Sequence, residues 1–101
     1  MAEPRMSAPT LKVLGTVLTD PRGDVSGSDI ARMTGLASGT LYPILLRLEQ
    51  AGWLASHWEK GNPRQLGRPR RRYYRVTALG AKRAKAAFGE FTPILGRFAW
   101  A

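Results

Sequence analysis

SGTLYPILLRLEQAGWLASHWE, residues 38–59, changes its periodicity halfway along, and that change sets what lies on either side of it. Leu41, Ile44, Leu45 and Leu48 recur at i, i+3, i+4 and i+7, the spacing that lays one apolar stripe along an α-helix. Ser38 or Thr40 stands where an N-cap belongs, and Gly52 is a stop signal. Trp53 to Glu59 then reads as a strand rich in aromatic and small residues. The other side of the helix carries Ser38, Gly39, Thr40, Pro43, Arg47 and Gln50, polar or small residues that face outward and are available to a partner.

Upstream, Ser7 or Thr10 caps a first helix in which Leu11, Leu14 and Leu18 share a face with Val13 and Val17 beside it. Asp20-Pro21 ends it, because proline disfavours helix in the residue before it. Residues 1–6 read as a flexible end, PRGD at 21–24 as a turn, and Val25-Ser26 as a very short strand. Ser28 or Asp29 caps a second helix running to about Thr34, and Gly35 breaks it. Helix, glycine-containing turn and helix from Ser38 have the spacing of a helix-turn-helix, with small Ala31 letting the helices approach.

Downstream, KGNPRQLGRPRR at 60–71 is too rich in Gly, Pro, Asn and Arg for regular structure and reads as a long hairpin tip. RYYRVT at 72–77 returns as a strand, with Tyr74 and Val76 on one side, pairing with Trp53 to Trp58. Two strands joined by a basic loop after a helix-turn-helix make a wing. Thr77 caps a last helix, whose Ala84, Phe88, Phe91, Leu95 and Phe98 are spaced 4, 3, 4, 3. One small domain has trouble covering such a seam, so part of it is assigned to a dimer interface, with Pro93 expected to kink or split the helix. The expected architecture is mainly α with a small β-hairpin wing, an α+β chain. It is divided into a flexible 1–6, a winged helix-turn-helix 7–77 with its wing at about 60–71, and a C-terminal dimerisation helix 78–101.

At 101 residues the chain is one domain with a modest core. Sixteen Lys and Arg against seven Asp and Glu give a formal charge of +9 and a pI near 11.1, which points to a polyanion: nucleic acid or an anionic membrane surface. No apolar run approaches the ~20 residues of a spanning helix, and MAEPRM lacks the plan of a signal peptide, so a cytoplasmic protein is expected. With no cysteine and His57 as the single histidine, neither a transition-metal site nor a catalytic constellation assembles, and no cofactor is expected. His57 lies two residues from Glu59 on the same strand face and reads as a surface side chain.

Between Lys60 and Arg75 stand seven basic residues, Lys60, Arg64, Arg68, Arg70, Arg71, Arg72 and Arg75, and no acidic one. Charges so dense repel one another unless phosphates offset them; the plainer reading is a solvated basic loop. Gly67-Arg68-Pro69 partly matches the core of an AT-hook, weak support for minor-groove contact by Arg68 and Arg70. On the third helix, Ser38, Gly39, Thr40 and Tyr42 stand to reach phosphates or base edges and Arg47 the backbone, although Tyr42 also suits packing at the helix edge. Leu46 points away from the stripe, toward either a thymine methyl or the wing. Trp53, Trp58, Tyr73 and Tyr74 suit core packing better than base stacking. Trp100, near the end of the last helix, reads as an interface contact or as one wall of a site for a flat aromatic ligand between two copies.

SGTLYPILLRLEQAGWLASHWE followed by GRPRRRYYRVTALG resembles the PadR family of bacterial winged-helix transcriptional regulators. That family joins a Gly-Thr-Leu-Tyr-Pro helix start, a Leu-Glu-x-x-Gly helix end, a Trp-Glu strand and a Gly-Arg-x-Arg-x-Tyr-Tyr-Arg wing leading to Thr-x-x-Gly; the resemblance spans about residues 10–90. It implies a homodimer held by the C-terminal helix with help from the first helix (Leu11, Leu14), binding a pseudo-palindromic double-stranded operator and usually repressing a nearby gene. By motif, Thr40 and Tyr42 fall on DNA-contacting positions, and Arg68, Arg70 and Arg71 fall on the wing. The chain departs from the family before the second helix, where a Tyr is often found and Gly27-Ser28 stands, which bears on a backbone contact by Ser28. Its end at Ala101 resembles the short-tailed members, some of which sense flat aromatic drugs between paired tryptophans. The competing expectations are a nonspecific architectural or RNA-binding basic protein and a multidrug-sensing regulator released by a small aromatic effector.

Overall fold

The computed structural model describes the backbone of residues 3–100 and the side chains of residues 3–89. Among the described residues, five helices and three strands follow in the order α1 (Ala8–Leu18), β1 (Val25–Ser26), α2 (Gly27–Thr34), α3 (Ser38–Gln50), β2 (Leu54–Trp58), α4 (Pro63–Leu66), β3 (Arg72–Val76) and α5 (Ala78–Trp100). The three strands form one antiparallel sheet in the order β1-β3-β2. Leu54 pairs with Val76 and Trp58 with Arg72, so β2 and β3 are the expected hairpin, and β1 joins its far edge through Val25 opposite Tyr74.

The stripe expected on α3 is the centre of the core: Leu41, Ile44, Leu45 and Leu48 are buried against Val13, Leu14 and Val17 of α1 and Ile30 of α2. Trp53, Leu54, Tyr74 and Val76 close this core from the sheet and Ala84 from α5. Deleting one such buried leucine side chain typically costs about 2–5 kcal/mol, because the surroundings only partly refill the space.

The ends of the helices differ from the expected ones in instructive ways. Ser7 caps α1 as expected, accepting from the Thr10 amide at 3.3 Å. The cap of α2 is Ser26, whose Oγ accepts from the Asp29 amide at 3.1 Å, so Ser28 and Asp29 lie inside the helix instead of heading it. Neither Ser38 nor Thr40 caps α3; Ala37 holds that place with no side-chain hydrogen bond. There the preceding turn is already satisfied: Gly35, at φ 72°, ends α2 through its amide to Ala31 O, and Leu36 N donates to Thr34 Oγ1. At the other end of α3 the Gly52 amide donates to Glu49 O and the Trp53 amide to Leu48 O. This 5→2 and 6→1 pair requires a residue at positive φ, here Gly52 at 80°, and it delivers Trp53 straight into the core.

Thr77 caps α5 as expected, accepting from Gly80 N at 3.0 Å while donating to Gly52 O and Trp53 O. Gly80 faces the Trp53 carbonyl so closely that a Cβ there would lie 2.0 Å from its oxygen. Helix α5 runs unbroken from Ala78 to Trp100, so Pro93 does not split it. Ala84, expected on the dimer seam, and Leu14, which the family resemblance implies for the dimer contact of the first helix, are fully buried in this chain's own core and have no surface left for a partner. Leu11 and Phe88 are half-buried, with Phe88 packed on that core; the side chains of Phe91, Leu95, Phe98 and Trp100 lie outside the described residues. Residues 3–6, expected to be loose, lie along the fold, with Met6 packed on the core and Glu3 3.7 Å from Arg83.

Candidate nucleic-acid interface

The outer face of α3 is as its sequence predicts: Ser38, Gly39, Thr40, Tyr42, Pro43, Leu46, Arg47 and Gln50 are all exposed. Pro43 has no amide to give the Gly39 carbonyl, a loss a helix tolerates best where water or a ligand reaches the freed oxygen. Tyr42 does two things at once. A Cβ built on Gly27 would sit 3.2 Å from its Cε1 and Oη, so the phenol lies over the first turn of α2, yet the residue remains 46% exposed. Glycine at 27 is therefore what lets the α3 tyrosine rest there, and Ser28 beside it is exposed.

Across from this face stands the wing. Its tip is not the irregular loop expected, since Asn62 Oδ1 accepts from the Arg64 amide at 3.0 Å and starts the single helical turn of α4, which ends at Gly67. Gly27, Ser28, Tyr42, Trp58, Tyr74 and Arg68–Arg72 together line one cleft of about 480 Å³. The start of α2, Tyr42 of α3 and the arginines of the wing thus share one concave surface.

The seven cations do not act alike. Arg68 turns back on Glu59, with Nη1 at 2.6 Å from Oε1 and Nη2 at 2.8 Å from Oε2, a two-pronged pair. It therefore does not lie extended in the manner of an AT-hook arginine. Hydrogen bonds from Arg68, then from the Arg71 amide, hold the Glu59 carboxyl down at about 2 despite an opposing effect of burial. Arg72 is also held: Nη2 is 3.4 Å from Glu49 Oε1, and its guanidinium lies 5.0 Å from the centre of the Trp58 ring. Glu49 further accepts a short hydrogen bond from Ser56 Oγ, so this one acid ties α3 to both wing strands. Lys60, Arg64, Arg70, Arg71 and Arg75 are exposed, and among the described residues none of their side chains forms a salt bridge, Arg71 meeting Glu59 through its amide alone.

His57 and Glu59 do not act together. His57 stacks on Tyr73, ring centres 5.8 Å apart, with Nε2 3.8 Å from Asp24, on the outer face of the sheet. Trp53 and Tyr74 are core residues, and burial raises the Tyr74 hydroxyl pKa. Trp58, by contrast, is 57% exposed. Glu49, Glu59 and Trp58 are the site residues that patterning by itself passes over. Register arithmetic finds two of them, since a hairpin pairing Trp58 with Arg72 sets Glu59 opposite Arg71.

The comparisons with known proteins agree with this geometry. Residues 28–86 match the family model described as the transcriptional regulator PadR-like family. Among solved structures, smu.1704 from Streptococcus mutans is 30% identical, with 93% of this chain and 86% of that one covered at a TM-score of 0.67. A PadR family transcription regulator from Clostridium difficile is 22% identical, covering 92% of this chain and 99% of that one at 0.70. Staphylococcus aureus MepR in its DNA-binding conformation shares the fold at 17% identity and a TM-score of 0.73, with 93% of this chain and 64% of that one covered. No curated protein matches the chain. Among the described residues no helix is long and apolar enough to cross a membrane. With the matched segment containing α3, the wing and the start of α5, the chain belongs to the PadR-like family of transcriptional regulators, DNA-binding proteins rather than enzymes.

Proposed function

We propose that the protein is a cytoplasmic homodimer that binds a pseudo-palindromic operator in double-stranded DNA and represses a nearby gene. The observation that carries this reading is the cleft in which Tyr42 of α3 and Ser28 of α2 meet the arginine-bearing wing. An α-helix fits the major groove, and a basic flap beside it reaches phosphates or the adjacent minor groove. In this reading Thr40, Tyr42 and Arg47 meet base edges or backbone, Ser28 a phosphate, Lys60, Arg64 and Arg71 the flanking phosphates, and Arg70 a phosphate at the mouth of the adjacent minor groove. Pairing of two chains runs through α5, from Phe88 to Phe98, with Leu11 alongside. Trp100 at the end of that helix is the place where a flat aromatic effector would lodge between the two copies.

Fluorescence anisotropy with a duplex selected from a random library tests the reading. A dimer that neutralises ~6 to 10 phosphates loses about 10³ to 10⁵ in affinity between 50 and 200 mM salt. A flat salt response, or equal affinity for scrambled duplex or RNA, favours a nonspecific basic module instead.

A further inference from the structure

Within the wing, one acid sits among the arginines. Glu59 follows β2, and its amide donates to Arg71 O at 2.7 Å while its Oε1 accepts from Arg71 N at 3.2 Å. The same carboxylate takes both prongs of Arg68. Residues 68 and 71 are therefore fastened to one side chain, and the two residues between them, Pro69 and Arg70, are closed into a short loop. Pro69 has a restricted φ of its own, which narrows that loop further. Glu59 is only 17% exposed although the wing around it is in solvent, so its carboxylate is enclosed by this loop and is not spread over the surface as a loose counter-charge. Arg70 and Arg71 both line the cleft that faces Tyr42 and Ser28.

We infer that Glu59 is a positioning residue for DNA recognition: by clamping Arg68 and the Arg71 amide it presets Arg70 and Arg71 for the duplex, and so raises the preference for the operator over other DNA. The inference rests on the DNA-binding reading above and adds to it a role for an acid that simple charge counting would score as harmful. An ordered loop lets the two arginines bind without first losing their freedom, whereas a loosened loop meets that entropic cost during binding. The two views give opposite signs. If Glu59 were only a negative charge near phosphates, removing it would tighten binding to every duplex. As a clamp, its removal weakens the operator complex and frees Arg68 for indiscriminate phosphate contact.

The test compares full-length wild type, E59Q, R68M and E59Q/R68M on a duplex selected by the wild-type protein and on a scrambled duplex, with thermal unfolding of each variant as the control for folding. The clamp predicts that E59Q loses about tenfold on the selected duplex, the size expected for ordering two long side chains. On scrambled DNA, E59Q should bind as well as wild type or better, with a salt slope steeper by about 0.9 for one added phosphate contact. R68M should lose on the selected duplex in the same direction, and the double variant should lose no more than the worse single one, since both remove one device. An E59Q protein that folds and binds the selected duplex as tightly as wild type, or more tightly, overturns the role of Glu59 alone. A wild type that selects no sequence overturns the DNA reading, and this role with it.

Discussion

Helix α3 and the wing flank the same cleft but are held in place by different physics. The helix is fixed from beneath: four of its side chains are buried, and its C-terminus is locked by Gly52 so that Trp53 enters the core. The wing has little core of its own beyond the feet of its strands, and it is fixed by acids, Glu59 gripping Arg68 and Glu49 gripping Arg72. A surface fixed from beneath can vary its outer residues without losing shape. A surface held by ion pairs spends part of its own charge on shape, so its effective charge is smaller than its composition implies.

The largest consequence of this difference is in stability. Leu45→Ala or Leu48→Ala should lower the unfolding free energy by about 2–5 kcal/mol in urea titrations and take DNA binding down with the fold. Gly80→Ala comes next. The Trp53 carbonyl in its way is backbone and cannot swing aside, so a loss of about 1–3 kcal/mol is expected, and α5 should shift where it leaves the sheet. On the wing the order reverses: Arg70→Ala and Arg71→Ala should change stability by less than about 0.5 kcal/mol, yet each should reduce the slope of log affinity against log salt by about 0.9. Equal thermal losses for wing and core variants would erase the distinction.

The smallest effect expected is that of acid. The folded Glu59 carboxyl titrates at about 2 against an ordinary value of 4.5. A depressed carboxylate pKa stabilises the folded form above the ordinary value, and that contribution is lost as pH falls through about 2. The Arg68 clamp should accordingly persist unchanged from neutral pH to pH 4 and open below about 3. The carboxyl carbon shift of Glu59, followed by NMR, reads this directly, and a midpoint near 4.5 would mean that the pair does not form in solution.

How far the sequence was legible follows the same division. Apolar periodicity announced α3 and its buried stripe, and alternation announced the return strand with Tyr74 and Val76 inward. Helix ends were less legible, because Ser26, Ser28 and Asp29 are all good caps, and the choice fell to the residue that β1 holds extended at φ −71°, ψ 152°. Ala84 looked like an interface residue because a seam reads the same whether a partner helix or the chain's own core covers it, and Leu14 because the family resemblance implies help from the first helix. The wing was the least legible. A run of like charges carries no periodicity, and the acids that sort it, Glu49 and Glu59, lie outside the run and act only once the hairpin register is fixed.

Chemical footprinting of the protein on its selected duplex with dimethyl sulfate is the most direct measurement, because methylation reports guanine N7 in the major groove and adenine N3 in the minor groove. Helix and wing acting as one surface predict two symmetric patches of N7 protection about one helical turn apart, each flanked by minor-groove protection that Arg70→Ala removes. Protection of neither groove, or a wing footprint that persists without Arg70 and Arg71, would contradict it.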